Sequence, residues 1–87
     1  RLDAKLQKEL EEINKKDIRL SKRIQKLLTL FAANPKHLSL RVHKLSGELD
    51  NMWSISISKG IRMTYLQSGD EAYFFDIGTH DEVYRKR

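Results

Sequence analysis

The sequence predicts an α+β domain in which an N-terminal αα-hairpin packs on one face of a small antiparallel β-sheet. Three observations carry this. Apolar residues recur at helical spacing through residue 33, the apolar period becomes two from Met52 onward, and Asn34-Pro35 separates the two regimes. Residues 1–87 read as a single domain, with no internal repeat, low-complexity tract or interdomain linker.

Residues 1 to 14 carry Leu2, Leu6, Leu10 and Ile13 on one stripe, with Lys, Gln, Glu and Asn between them as a solvated face. Lys15 and Lys16 suit a helix C-terminus, where the backbone dipole favours cations, and Asp17 is the N-cap expected for the next helix. Residues 18 to 33 repeat the pattern with Leu20, Ile24, Leu27, Leu28 and Phe31. Two amphipathic helices on so short a link form an antiparallel pair.

Residues 36 to 51 read as an irregular crossing with a short strand near 42 to 45, and Gly47 and Asp50-Asn51 mark turns. From Met52, Trp53, Ile55 and Ile57 alternate with serines; after Lys59-Gly60, Ile61, Met63 and Tyr65 alternate with Arg62, Thr64 and Leu66. A three-residue loop, Ser58-Lys59-Gly60, sets Ile57 opposite Ile61 and Trp53 opposite Tyr65, which gives one apolar and one polar face. After the turn Ser68-Gly69-Asp70-Glu71, Tyr65 is expected opposite Tyr73 and Arg62 opposite Asp76. The result is a three-stranded meander. Its helix-covered face is apolar; its other face carries Ser54, Ser56, Arg62, Thr64 and Asp76, with Phe74 as an apolar exception.

Composition bounds the function. The chain has 17 Lys and Arg against 12 Asp and Glu, a net charge of +5, which favours nucleic acid or an acidic protein as partner. No cysteine is present, which excludes disulfides, thiolate metal sites and a cysteine nucleophile, and fits a cytoplasmic setting. No apolar run approaches a membrane span and no signal-peptide pattern occurs, so no membrane partner is expected. The chain opens on Arg1 rather than Met, so further residues are expected upstream.

The stretch Ile77 to Tyr84 carries the chemistry. Thr79 and Glu82 have the spacing of a helix capping box, and Gly78 before them is read as freeing the backbone to leave the strand. A helical turn there puts His80 and Tyr84, four apart, on one face. Arg62 projects from the middle strand, and His43 and Lys44 come from the segment before the sheet. These groups match what metal-independent RNA cleavage by the 2′-hydroxyl requires: a base, an acid and cations for the phosphorane-like transition state. Lys36, Arg41 and Lys44, with Arg85 and Lys86 in the tail, are the candidate phosphate contacts. Blander readings stand beside these: Arg62 and Asp76 as a cross-strand ion pair, Tyr84 as a packing ring, the basic residues as solvated surface. His37, His43 and His80 lack the spacing of a metal site, and no cofactor is expected.

In chain order, Phe31-x-x-Asn34-Pro35, His43-Lys44-Leu45-x-Gly47-x-Leu49, Trp53-Ser54-Ile55-x-Ile57, Arg62-x-x-Tyr65 and Asp76 through Tyr84 resemble the type II toxins of the RelE/ParE superfamily, specifically the RelE- and YafQ-like mRNA interferases. The resemblance implies a ribosome-dependent endoribonuclease that cuts messenger RNA. It also implies neutralisation by a cognate acidic antitoxin, and operator DNA binding only through that antitoxin. It casts His80 as general acid or base, Arg62 as the transition-state cation, Tyr84 as the phenolic partner and His43 as a contributing histidine. YafQ-like members carry a His and an Asp where this chain has Ser56 and Gly60, which favours an Arg and His scheme here. The family's usual first β-strand is expected to be missing, since this chain starts almost at the helix. Two alternatives remain: a ParE-like toxin that inhibits DNA gyrase without cutting RNA, and a degenerate toxin acting only in antitoxin binding and operon autoregulation.

Overall fold

The computed structural model describes residues 1–44, 51–79 and 82–83. Its helices are α1 (Ala4–Lys16) and α2 (Ile18–Ala33), followed by a 3-10 turn (Leu38–Leu40) and strands β1 (His43–Lys44), β2 (Met52–Ser58), β3 (Ile61–Ser68) and β4 (Glu71–Thr79). The strands form one antiparallel sheet in the order β1-β2-β3-β4. The sheet therefore has four strands rather than three, because the segment at 42 to 45 pairs through His43 and Lys44 with β2.

Each helix boundary has a chemical cause. Asp3 caps α1 by accepting from the Lys5 N–H at 3.1 Å, and Asp17 caps α2 by accepting from the Leu20 N–H at 3.1 Å. Asn34 ends α2 with its N–H on the Leu30 carbonyl, and Pro35 comes next. Leu6 of α1 and Ile24 and Leu27 of α2 meet Ile55, Ile57, Met63, Tyr65, Phe74 and Ile77 of the sheet in one core. At one end of that core Phe31, Tyr65 and Phe74 pack ring on ring, with centroids 4.9 to 5.2 Å apart. Among the described residues no helix is long and apolar enough to cross a membrane.

Both hairpins depart from the expected register; a bulge restores it between β2 and β3, and restores only the facing of side chains between β3 and β4. The β2–β3 loop has two residues, Lys59-Gly60, with Gly60 at φ +90°. Ser58, not Ile57, lies opposite Ile61. Ile57 is the extra residue, and from Ser56 opposite Arg62 to Trp53 opposite Tyr65 the predicted pairs hold. The bulge is tied to α2, because Arg23 Nε donates to the Ile57 carbonyl.

The β3–β4 turn also has two residues, Gly69-Asp70, with Gly69 at φ +59°. This one-residue shift puts Phe74, not Tyr73, opposite Tyr65. Phe74 therefore joins the core and Tyr73 turns outward, the reverse of the expectation. A second single-residue shift at Phe75 restores the parity, so Asp76 and Ile77 occupy their predicted faces. Two single-residue shifts displace the pairing by two, which puts Arg62 opposite Gly78 and Asp76 opposite Thr64.

The outer edge of β4 meets the start of the chain, where a strand was expected to be missing. Leu2 forms a parallel bridge with Phe74: the Asp3 N–H donates to the Phe74 carbonyl and the Phe74 N–H to the Arg1 carbonyl, both at 2.8 Å. Tyr73, now outward, donates its hydroxyl to Asp3 Oδ1 at 2.6 Å. That hydrogen bond holds the Asp3 carboxyl below its ordinary pKa and the Tyr73 phenol above its own.

Candidate active site

The register builds the polar face row by row. One row runs across all four strands as His43, Ser54, Thr64 and Asp76; the next comprises Ser56, Arg62 and Gly78. Residues directly opposite one another share a face, so His43 and Arg62 lie on the same side of the sheet. Lys44 pairs with Trp53 and alternates to the other side. Lys36 lies in the turn after α2, its N–H held by Asn34 Oδ1 at 3.2 Å, and among the described residues no hydrogen bond joins it to Arg62. His37 acts locally, since its Nδ1 accepts from the Ser39 N–H at 3.1 Å and caps the 3-10 turn.

The face is less open than its polarity suggests. Ser54 and Thr64 are fully buried and Asp76 is 6 % exposed. Buried polar groups need partners. Ser54 Oγ accepts from Arg62, and Asp76 Oδ1 accepts from the Ile77 N–H at 3.0 Å, whereas among the described residues Thr64 Oγ1 has no hydrogen-bond partner.

Arg62 is tethered to the two segments beside it. Its Nε donates to Ser54 Oγ at 2.9 Å, and its Nη2 donates to the Arg41 carbonyl at 3.0 Å, with a longer contact to the Ser54 carbonyl at 3.4 Å. The expected Arg62–Asp76 pair is replaced by these bonds, because the register moves Asp76 next to Thr64. Among the described residues the ion pairs are Arg1–Glu71 and Lys15–Glu12, so no carboxylate neutralises Arg62, Arg41 or His43 there.

Arg41, proposed from sequence as a side-chain phosphate contact, has its side chain exposed, while its backbone tethers Arg62. It closes the 3-10 turn in the left-handed conformation, φ 47° and ψ 56°, which is unusual for a residue other than glycine. The role of Ser54 was not foreseen. It stands diagonally across from Arg62, two residues from its direct partner Ser56, a distance a long side chain spans, so the predicted β2–β3 register already contained the signal. A second unforeseen feature is a basic stripe on α2, where exposed Arg19, Lys22, Arg23 and Lys26 fall on one face of a helix without acidic residues.

The capping box forms as spelled. The Thr79 N–H donates to Glu82 Oε1 and the Glu82 N–H to Thr79 Oγ1. Gly78 serves it by lacking a side chain rather than by backbone freedom: it has no positive φ, but a Cβ there would lie 2.9 Å from Glu82 Oε1 and 3.3 Å from Glu82 Cβ. Val83, next in the chain, is fully buried. His80, Tyr84, Arg85 and Lys86 lie outside the described residues, as do the predicted turns at Gly47 and Asp50.

No family model matches the sequence, and no curated protein is significantly similar to it. Solved structures do match. The YoeB/ParE toxin from Agrobacterium tumefaciens is 20% identical, with 91% of this chain and 94% of that one covered and a TM-score of 0.72. YafQ from Escherichia coli is 16% identical over 95% and 93% of the two chains, with a TM-score of 0.73. The heterotetrameric YoeB-YefM toxin-antitoxin complex from Staphylococcus aureus matches at 18% identity over 91% and 92%, with a TM-score of 0.75. With its two helices laid over a four-stranded antiparallel sheet, the chain has the RelE/YafQ-like toxin fold.

Proposed function

We propose that this chain is the toxin of a type II toxin-antitoxin system and cleaves ribosome-bound messenger RNA by metal-independent acid–base chemistry. The observation that carries the reading is the pairing of Arg62 with Gly78. It sets an arginine tethered on a central strand directly beside the end of β4, and His80 comes immediately after Thr79, the last residue of β4. In the proposed reaction a base removes the proton of a 2′-hydroxyl, whose oxygen attacks the adjacent phosphorus. The P–O5′ bond breaks, an acid protonates the departing 5′-oxygen, and a 2′,3′-cyclic phosphate remains on the upstream fragment. Arg62 stabilises the charge that builds on the phosphoryl oxygens. His80 transfers a proton, with Tyr84 and His43 as supporting groups, and Arg41, Lys36, Arg85 and Lys86 offer cations to the RNA backbone, with Lys44 more remote on the other side of the sheet.

The partner that silences the site is a cognate antitoxin. A surface of net charge +5 is well matched by an extended acidic segment that orders on binding. Operator DNA is bound only through that antitoxin.

The test is cleavage of messenger RNA on translating ribosomes, wild type beside His80→Ala and Arg62→Ala. Wild type should cut, and each substitution should lower the rate by about 10²–10⁴, the range for loss of a positioned proton-transfer group or a charge-stabilising donor. Full cleavage by His80→Ala removes that residue from its role. Absence of cleavage together with dose-dependent inhibition of gyrase supercoiling would move the protein to the gyrase-inhibitor class.

A further inference from the structure

We infer that Ser54 is a positioning residue for Arg62, fixing one edge of the guanidinium so that Nη1 is the nitrogen left to meet a phosphate oxygen. The inference deepens the reading of Arg62 as the transition-state cation and rests on it.

A guanidinium carries five N–H donors in a planar fork. Its side-on edge, Nε and Nη2, is taken up by the protein through Ser54 Oγ, the Ser54 carbonyl and the Arg41 carbonyl. Nη1 has no hydrogen bond to any described residue. Two anchors on one edge fix both the location and the plane of a group that otherwise swings on a long flexible stem.

The anchors are themselves fixed. Ser54 is fully buried in β2, flanked by His43 of β1 and Thr64 of β3, so its backbone and Cβ have nowhere to move. Arg41 is held by its own N–H on the Leu38 carbonyl at 3.1 Å. A serine needed only to fill the sheet would be replaced by alanine without effect on Arg62. A serine that orients Arg62 would not, because alanine removes the acceptor for Nε.

The experiment pairs single-turnover and steady-state cleavage with side-chain ¹H–¹⁵N NMR on the full chain, using wild type, Ser54→Ala and Ser54→Thr. In Ser54→Ala, kcat should fall about ten- to a hundredfold with KM within about twofold, since a misaimed cation is lost in the transition state rather than in substrate binding. Ser54→Thr, which keeps the hydroxyl, should recover most of the rate. The Arg62 Nε–H, assigned through Arg62→Lys, should exchange with water more slowly than that of exposed Arg19 in wild type. In Ser54→Ala it should exchange as fast as Arg19. Wild-type kcat in Ser54→Ala overturns the inference, as does fast exchange of the Arg62 Nε–H in wild type. The wild-type exchange measurement decides even if Ser54→Ala fails to fold. Should wild type cut no RNA while the Arg62 Nε–H is protected and released by Ser54→Ala, the tether stands and the ribonuclease reading falls.

Discussion

The backbone N–H of Thr79 donates to Glu82 Oε1 at 2.8 Å, and the backbone N–H of Glu82 donates back to Thr79 Oγ1 at 3.1 Å. This reciprocal box joins the end of β4 to Glu82, and it needs the space above Gly78. Gly78→Ala should therefore cost about 1 kcal/mol of stability, the usual loss when a cap is broken. In an ordinary strand the same change is neutral or favourable, because alanine surrenders less backbone entropy than glycine. A double-mutant cycle separates the two cases: with Glu82→Ala already present, Gly78→Ala should no longer destabilise. Strict additivity in urea unfolding would show that the glycine is not there for the glutamate.

Thr64 is fully buried, and its hydroxyl finds no partner between Ser54 and Asp76. An unmade hydrogen bond in the interior costs roughly 1–3 kcal/mol. Valine has the same shape and a strong preference for strands. Thr64→Val should thus raise stability by about 1 kcal/mol, read as a higher denaturant midpoint at unchanged slope. A loss of stability would mean that the hydroxyl is satisfied in solution.

Arg23 ties the Ile57 bulge to α2 through its Nε. Lysine keeps the charge but has no donor at that branch of the side chain. Arg23→Lys and Arg23→Ala should therefore destabilise to a similar extent, by about 1 kcal/mol. If lysine were fully tolerated, charge rather than the directed N–H would be what holds the bulge.

How far the sequence foretold this molecule depends on parity. Helix positions, the caps at Asp17 and Asn34 and the Thr79–Glu82 box were legible, since each is written within four residues of chain. Face assignments at Ser54, Arg62, Thr64, Asp76 and Ile77 were also legible, because only odd or even position matters. The bulges at Ile57 and Phe75 were not, since a single extra residue leaves no local signature and is selected by packing across the whole sheet. The two-residue Gly69-Asp70 turn decides that Phe74 replaces Tyr73 in the core, and that turn together with the Phe75 bulge sets Gly78 rather than Asp76 beside Arg62. At the site, residue types suggested the chemistry, but the tether on Arg62 involves a backbone carbonyl, Arg41, whose role no side-chain motif announces.

Two tyrosines make stability depend on alkaline pH. Tyr65 is buried against Phe31 and Phe74, and burial raises its phenol above the ordinary value. Tyr73 is raised first by its hydrogen bond to Asp3 and then by partial burial. A folded-state pKa above the unfolded one favours the protonated phenol, so this stability is fully present below the unfolded value of about 10. It is lost as pH rises through the folded values. Asp3 has the opposite sign: its lowered pKa contributes stability above about pH 4 that disappears on further acidification. Urea midpoints should therefore be level from neutrality to about pH 9 as far as these groups are concerned, then fall. The fall should be shallower in Tyr65→Phe, and shallower again when Tyr73→Phe is added. Equal alkaline slopes in wild type and the double variant would show that neither phenol is perturbed in the folded state.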